Sequence, residues 1–505
     1  MNLTREQFIG LAKKYTVIPV YEELPSDLET PVSAFLKLRT GHYDFLFESV
    51  EGGEKWARYS FLGTTPRKIY RYHDKELDVT TPDGKTETFP CPDDAFAHLK
   101  QDFAHYTVYQ DPALPRFFGG VVGYLGYDLV HAFENIPLEN PKYKDLPEYY
   151  LFLTDCVVIF DSLSQTMKLV NTLIIDENIK DDEKALIEIY DQSITKINFI
   201  KNKLAQPAQV PQEDVAMAPS ELKMNITKNE FCEKVEKAKE YIKSGDIFQV
   251  VLSLNFEIAQ NNRDPISLYR ALRRSNPSPY MYYLRFNDLC VVGASPEIMV
   301  RLEDDKVEVR PIAGTRKRGK DVPEDKKLEQ ELIADPKERA EHIMLVDLGR
   351  NDLGRVAKTG SVVVGEREVV ERYSHVMHLV SHVSAELEKG LNAFDVIKAT
   401  FPAGTLSGAP KIRSMEIIEE LENHSRGIYG GAIGYISFTG NTDLAIAIRT
   451  AFYLDQKVIV QAGAGIVHDS NPESEFEECC NKARVVLEGL GCYTDNELRT
   501  TDYDL

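Results

Sequence analysis

Toward its C-terminal end the chain carries three strand-like runs in quick succession: GGAIGYISF (430–438), DLAIAIRTAFYL (443–454) and KVIVQAGAGIV (457–467). The polar turns between them are too short for a crossover helix, so the runs must pair antiparallel, as a meander. The first half shows the same habit in YDFLFESV (43–50), KIYRYHDKELDVT (68–80) and DCVVIFDSLSQTMKLVNTLI (155–174), the last reading as a hairpin. Helical stretches flank these runs without a βαβ rhythm, which predicts an α+β fold. GGVVGYLGY (119–127) echoes GGAIGYISF but is too short to establish a repeat.

A chain of 505 residues exceeds what one core usually organises, so two domains are expected. LAQPAQVPQEDVAMAPSELK (204–223), rich in Pro, Gln and Ala, reads as the linker. It separates an N-terminal domain (1–203) from a second domain (224–492), which an acidic tail (493–505) follows. The net charge of −21 argues against a nucleic-acid partner and makes any arginine or lysine cluster a pointer to an anionic ligand. No apolar run suits a signal peptide or a membrane span. Seven cysteines without a C-x-x-C pair suit free thiols in a reducing cytoplasm.

Thr227 and Glu230 form a capping box that predicts a helix ending at Gly245. DIFQVVLSLNFEI (246–258) then reads as a half-buried strand, with Phe248, Val250, Leu252, Leu254 and Phe256 on its inner face.

Two later helices bring carboxylates in matched pairs. The first starts at Asp335-Pro336, an N-cap followed by proline. Ala340, Ile343, Met344, Leu345, Val346 and Leu348 surround it, so it reads as buried. Glu338 and Glu341 neighbour each other on it. Glu338 is also the third residue of a capping box with Asp335. Glu341 has no such use, and a carboxylate on a buried helix needs an arginine or a metal. The second helix starts near Asn471-Pro472 with a core stripe of Phe476, Cys480, Ala483, Leu487 and Leu490. Glu475, Glu478 and Lys482 lie on its flank, where a solvated face is the default reading. Two glutamates from each of two helices nonetheless resemble a hard-cation site, and all-oxygen ligands favour Mg²⁺.

Leu444, Ile446, Ile448 and Phe452 share one face of their strand, and Arg449 the other, beside the small Ala445, Ala447 and Ala451. Arg449 there suits a bidentate carboxylate and, equally, a surface salt bridge. Gly463-Ala464-Gly465 either offers backbone N–H groups to a ligand or forms a bulge. FPAGTLSGAPK (401–411) is no phosphate loop, since Ala409 and Pro410 stand where G-K-[ST] is needed. Gly119 to Gly126 lacks the helix and distal acid of a dinucleotide fingerprint. His378, near His375 and His382, reads by itself as a packed histidine.

Longer segments carry a resemblance. RPIAGTRKRG (310–319), EHIMLVDLGRNDLGRV (341–356), YSHVMHLVS (373–381), FPAGTLSGAPKIRSME (401–416), YGGAIGY (429–435) and QAGAGIVHDSNPESEFEE (461–478) are similar to chorismate-utilising enzymes, in that family's order. FLFESVEGGEKWARYSFLG (45–63) extends the likeness into the first half. Ala313 stands where the aminodeoxychorismate synthases carry a nucleophilic lysine, and Gln249 where isochorismate and salicylate synthases carry a water-activating one. Both departures make ammonia the implied nucleophile, so the chain most resembles the large subunits of anthranilate synthases, with aminodeoxychorismate synthase component I as the alternative.

That resemblance implies a two-domain α+β fold with an orthogonal antiparallel β-sheet core and outer helices. It implies Mg²⁺ between Glu341 and Glu478, with Glu338 and Glu475 acting through water. Chorismate would be held by Gly314, Thr315, Thr405, Tyr429, Arg449, Gly463, Ala464, Gly465 and Lys482. Glu297 would be the general acid for the departing ring hydroxyl, and His378 the base that takes the ring proton before pyruvate leaves. Glu48, Ser49, Pro279, Tyr280 and Met281 match the family's L-tryptophan feedback site. The chain shows no G-x-C-x-G glutaminase motif, so a partner amidotransferase subunit in a hetero-oligomer is expected to supply ammonia.

Overall fold

The computed structural model describes residues 1–50, 58–137, 140–142, 145–211, 222–261, 263–372 and 376–492. Short turns close its hairpins as the sequence predicts. Lys68–His73 pairs with Glu76–Thr80 about Asp74 and Lys75, at φ 51° and 66°, a left-handed pair that matches the strands' twist. Cys156–Asp161 pairs with Thr166–Ile174. The glycine-rich echoes prove to be neighbouring strands, with Gly123 opposite Gly434. A Cβ on Gly434 would lie 2.1 Å from the Asp443 carbonyl, so glycine is required for that approach.

Among the described residues the strands form two large sheets and a small one. The first runs from Val17–Pro25 through Thr166–Ile174, Cys156–Asp161, Tyr59–Thr64 and Tyr43–Glu48. It continues through Tyr280–Phe286, Leu289–Ser295, Thr450–Leu454, Lys457–Ile466 and Gln249–Ala259. The second contains, side by side, Ile298–Glu303, Thr442–Ile446, Ala432–Ser437, Gly120–Leu125 and Tyr149–Thr154. The small sheet is Ile312–Lys317, Val376–Val380 and Val369–Arg372.

One apolar layer joins the large sheets. Phe45, Phe61, Tyr282 and Phe452 of the first meet Val122, Phe152, Ile433 and Tyr435 of the second. Burying a ring such as Phe45, fully enclosed, contributes about 1.5–3 kcal/mol. Helices Glu183–Leu204, Lys228–Ser244, Pro265–Ser275 and Pro472–Gly489 pack on the outer face of the first sheet, and Ala393–Thr400 on that of the second. This is an α+β fold with an antiparallel core and outer helices. Both large sheets take strands from either side of segment 204–223. Residues 212–221 of that segment and the tail 493–505 lie outside the described residues.

Lys228–Ser244 begins at its Thr227–Glu230 capping box and stops at Gly245, φ 87°. Three other elements differ from their sequence reading. Gln249–Ala259 is not half-buried: Val251, Ser253 and Asn255 are as enclosed as Val250, Leu252 and Leu254. Its polar positions can be buried because Glu422 accepts from both Ser253 N and Oγ, at 2.9 and 2.8 Å. Phe248 precedes the strand and is 72% exposed. Helix Pro336–Gly354 is not enclosed all round either, for Ile343 is 49% exposed and Asp347 and Arg350 share its open side.

The third difference lies at the junction of the two large sheets. DLAIAIRTAFYL is two strands, Thr442–Ile446 in the second sheet and Thr450–Leu454 in the first. The chain crosses between sheets at Arg449, a non-glycine residue at φ 50°. Arg449 therefore shares no strand face with Ala445 and Ala451, since alternation holds only within one continuous strand.

Candidate active site

A cavity of about 590 Å³ opens where the crossing at Arg449, the small sheet and helices Pro336–Gly354 and Pro472–Gly489 converge. Its walls bring together Glu297, Gly314, Glu338, Glu341, His378, Thr405, Tyr429, Arg449, Gly463, Gly465, Glu475, Glu478 and Lys482. Ala464 is not among them: strand alternation turns its side chain into the core beneath the first sheet. Thr315 pairs with His378 in the small sheet, and its side chain lies outside the described residues.

Glu297 sits just before strand Ile298–Glu303, its carbonyl accepting from Ile446 N at 3.0 Å. Burial pushes its carboxyl up to about 7, against the pull of Thr405, Lys482 and Arg449. An acid so placed keeps its proton in a large share of molecules near neutral pH. The Thr405 hydroxyl is buried beside the Glu297 carboxyl, which it helps to hold at the cavity wall.

His378 lies on the central strand of the small sheet, whose register slips at Gly314, φ 66°. Its Nδ1 is 3.2 Å from the Gly314 carbonyl, which can only accept, so Nδ1 carries the proton and Nε2 is the basic nitrogen. Burial lowers its pKa and keeps the imidazole neutral. Arg449 is half-buried and its left-handed backbone is strained by about 1–3 kcal/mol, a cost borne at the wall of a cavity. Burial also lowers its pKa, with Glu297 opposing.

Strand Lys457–Ile466 pairs with Gln249–Ala259 in unbroken register, so there is no bulge at Gly463-Ala464-Gly465. Its other neighbour, Thr450–Leu454, reaches only to Val460, which leaves residues 461–466 with one strand neighbour. A Cβ on Gly463 would meet the Tyr429 hydroxyl at 2.7 Å, and one on Gly465 would meet Gln249 Nε2 at 2.4 Å. Glycine is what lets those polar groups close on the strand.

The carboxylates differ in their partners. Glu338 does not complete a capping box: Asp335 accepts from its N–H, but its own carboxylate turns to Arg316 Nη1 at 2.9 Å. Glu478 pairs with Lys482 at 2.8 Å, and Lys482 Nζ also donates to the Gly463 carbonyl at 3.0 Å. Glu341 has a single hydrogen bond among the described residues, a long one of 3.4 Å from Gln249. Burial and then neighbouring Glu338 raise its pKa, and burial raises that of Glu475. No three of these carboxylates come within 4.8 Å of one another. The donor set is nonetheless oxygen only, and half-enclosed Glu341 lacks a close cation, so the residues fit a hard divalent ion. Among the described residues the tighter group is His73, Asp74 and Glu148, which already holds Lys142 Nζ at 2.7 Å from Asp74.

Arg316, Lys337 and Gln461 also reach this site and escaped the sequence reading, although Arg316 stands only two residues past Gly314. A second cavity, of about 350 Å³, is lined by Glu48, Ser49, Pro279, Tyr280 and Met281 together with Arg116, Arg301 and Asp443. Its Glu48 is already committed, to Arg273 at 3.0 and 3.2 Å and to the Tyr269 hydroxyl. The Ser49 hydroxyl is buried there without a partner among the described residues. Residues 51–57 of the motif that begins at Phe45 lie outside the described residues. Strand Ile298–Glu303 links the cavities, following Glu297 at one and carrying Arg301 and Glu303 to the other.

Comparison with known proteins agrees with this geometry. Residues 44–488 match the chorismate binding enzyme family. The chain is 50% identical over 493 residues to anthranilate synthase component 1 of Aquifex aeolicus, covering 97% of this chain and 98% of that one. It is 47% identical over 483 residues to the Acetivibrio thermocellus protein of the same name, covering 95% and 96%. The crystal structure of anthranilate synthase component I from Streptococcus pneumoniae superposes with a TM-score of 0.74 at 36% identity, over 92% of this chain and 99% of that one. The menaquinone-specific isochorismate synthase of Escherichia coli shares the fold, at a TM-score of 0.68 and 20% identity over 96% and 98%. By these matches the chain belongs to the chorismate binding enzymes, in their anthranilate synthase component 1 branch.

Proposed function

We propose that the chain converts chorismate and ammonia to anthranilate and pyruvate, the first step of tryptophan biosynthesis. The observation that carries this reading is one pocket holding a carboxylic acid whose pKa burial raises to about 7, a neutral histidine of fixed tautomer and a half-buried arginine. Arg449, Thr405, Tyr429, Lys482 and the bare edge at Gly463 and Gly465 would bind and orient the anionic substrate. Glu297 donates its proton to the departing ring hydroxyl, which leaves as water while ammonia bonds to the ring. His378 then takes a ring proton at Nε2, the ring C–O bond breaks to release enolpyruvate, which takes up a proton to become pyruvate, and the ring becomes aromatic. Glu341 and Glu478 would hold Mg²⁺, with Glu338 and Glu475 reaching it through water; when bound it would supply positive charge for a substrate carboxylate.

Ala313 lines the same pocket and has no nucleophilic atom, which opposes the aminodeoxychorismate reading. The second cavity suits L-tryptophan as feedback inhibitor, with the Ser49 hydroxyl, which has no partner among the described residues, as one of its contacts. A partner glutamine amidotransferase would deliver ammonia within a cytoplasmic hetero-oligomer. No helix among the described residues is long and apolar enough to cross a membrane. The deciding experiment is the mass and fluorescence of the product from chorismate, Mg²⁺ and ammonium salt. Anthranilate is expected; aminodeoxychorismate or isochorismate as the end product would overturn the assignment.

A further inference from the structure

The carboxylates of the pocket are neutralised unequally, and one arginine accounts for most of the difference. Arg316 grips the start of helix Pro336–Gly354 with both prongs, Nη2 on Asp335 at 2.7 Å and Nη1 on Glu338 at 2.9 Å. These side chains are only 22–29% exposed, so water screens the fork poorly. The other oxygen of Glu338 lies against Gly314, 3.0 Å from where a Cβ there would sit. One oxygen of Glu338 is thus held by Arg316, and the other packs beside Gly314. Glu478 is paired through one lysine, the two side chains 50% and 48% exposed, an arrangement that yields readily. Glu341 faces nothing stronger than the Gln249 amide.

Of these carboxylates Glu341 is therefore the one open to a divalent cation, Glu478 becomes so by displacing a weakly held lysine, and Glu338 is contested by Arg316. We propose that Arg316 is a positioning residue that withholds Glu338 from direct ligation, so that the site holds its metal weakly until a substrate carboxylate adds the missing anionic ligand. The proposal rests on the metal reading of Glu341 and Glu478. It explains why no three carboxylates gather within 4.8 Å although four line one cavity. An arginine suits this task better than a lysine, because its planar fork spans two carboxylates at once and stays charged at every working pH.

The test is Mn²⁺ titration of the full chain without substrate, reading free ion by electron paramagnetic resonance, with far-ultraviolet circular dichroism confirming the fold. Arg316→Gln should bind Mn²⁺ about tenfold or more tightly than the parent, since a charge-assisted hydrogen bond no longer competes for Glu338. Arg316→Gln combined with Glu338→Gln should return to within about threefold of the parent, because the gain comes from the freed carboxylate. If the double variant keeps the tightening, removal of charge alone explains it and the proposal fails. It fails also if Arg316→Gln binds no more tightly than the parent. Arg316→Lys, which keeps the charge but cannot fork, should lie between parent and Arg316→Gln; identity with the parent there would overturn the proposal even if Arg316→Gln did not fold. A folded parent that takes up no Mn²⁺ defeats the metal reading itself, a result separable from either failure above.

Discussion

Glu297→Gln keeps the shape of the side chain and removes its proton, so it tests both the chemistry and the burial of this acid. The carboxyl titrates near 7 in the folded chain against a reference value of 4.5. Between those values the native state holds a proton that the unfolded state has released, so stability falls as pH rises through this window. Working the linkage through, the parent should lose about 2.5 kcal/mol relative to the glutamine variant between pH 5 and pH 8. Urea unfolding of both proteins at both pH values reads this as a difference of differences, in which every other titrating group cancels. The two should lie close together at pH 5, and the variant should be the more stable at pH 8. The same variant should lose about 10²–10⁴-fold in turnover, the usual contribution of a general acid. Parallel stability of parent and variant from pH 5 to 8 would show that Glu297 is not a buried neutral acid, and full turnover would remove it from the reaction.

His378→Met should still consume chorismate but accumulate aminodeoxyisochorismate with little pyruvate, as product analysis by mass spectrometry would show; anthranilate at the parent rate would exclude histidine as the base. Replacing Ser49 with phenylalanine should weaken tryptophan inhibition at least tenfold with turnover changed less than about threefold, because a ring there fills the second cavity. Inhibition curves that superpose at every tryptophan concentration would exclude that cavity as the site. The purified chain should make anthranilate from ammonium and not from glutamine; glutamine-dependent product without any added subunit would contradict the need for an amidotransferase.

Local chemistry made several elements legible in advance. The Thr227–Glu230 box and Gly245 bound a helix because capping is settled within a few residues. Asp335-Pro336 and Asn471-Pro472 start their helices for the same reason. Short polar turns forced antiparallel pairing within the hairpins. Glu338 shows where such reasoning stops: its spacing from Asp335 suits a capping box, yet an arginine from another strand takes its carboxylate. A capping rule sees four residues of one segment and nothing that folds against them.

By itself, then, the order of residues determined where several helices begin, that strands joined by short turns pair antiparallel, and, through long motifs, the family. Tertiary structure decided what periodicity has no means to encode. It broke DLAIAIRTAFYL at Arg449 and sent its halves into different sheets, because the chain must cross between two packed layers at that point. It enclosed both faces of Gln249–Ala259, since alternation marks only the face that needs apolar cover and not the one whose polar groups find buried partners. It set the proton on Glu297, the tautomer of His378 and the partners of each glutamate, all of which depend on distances between segments far apart in sequence.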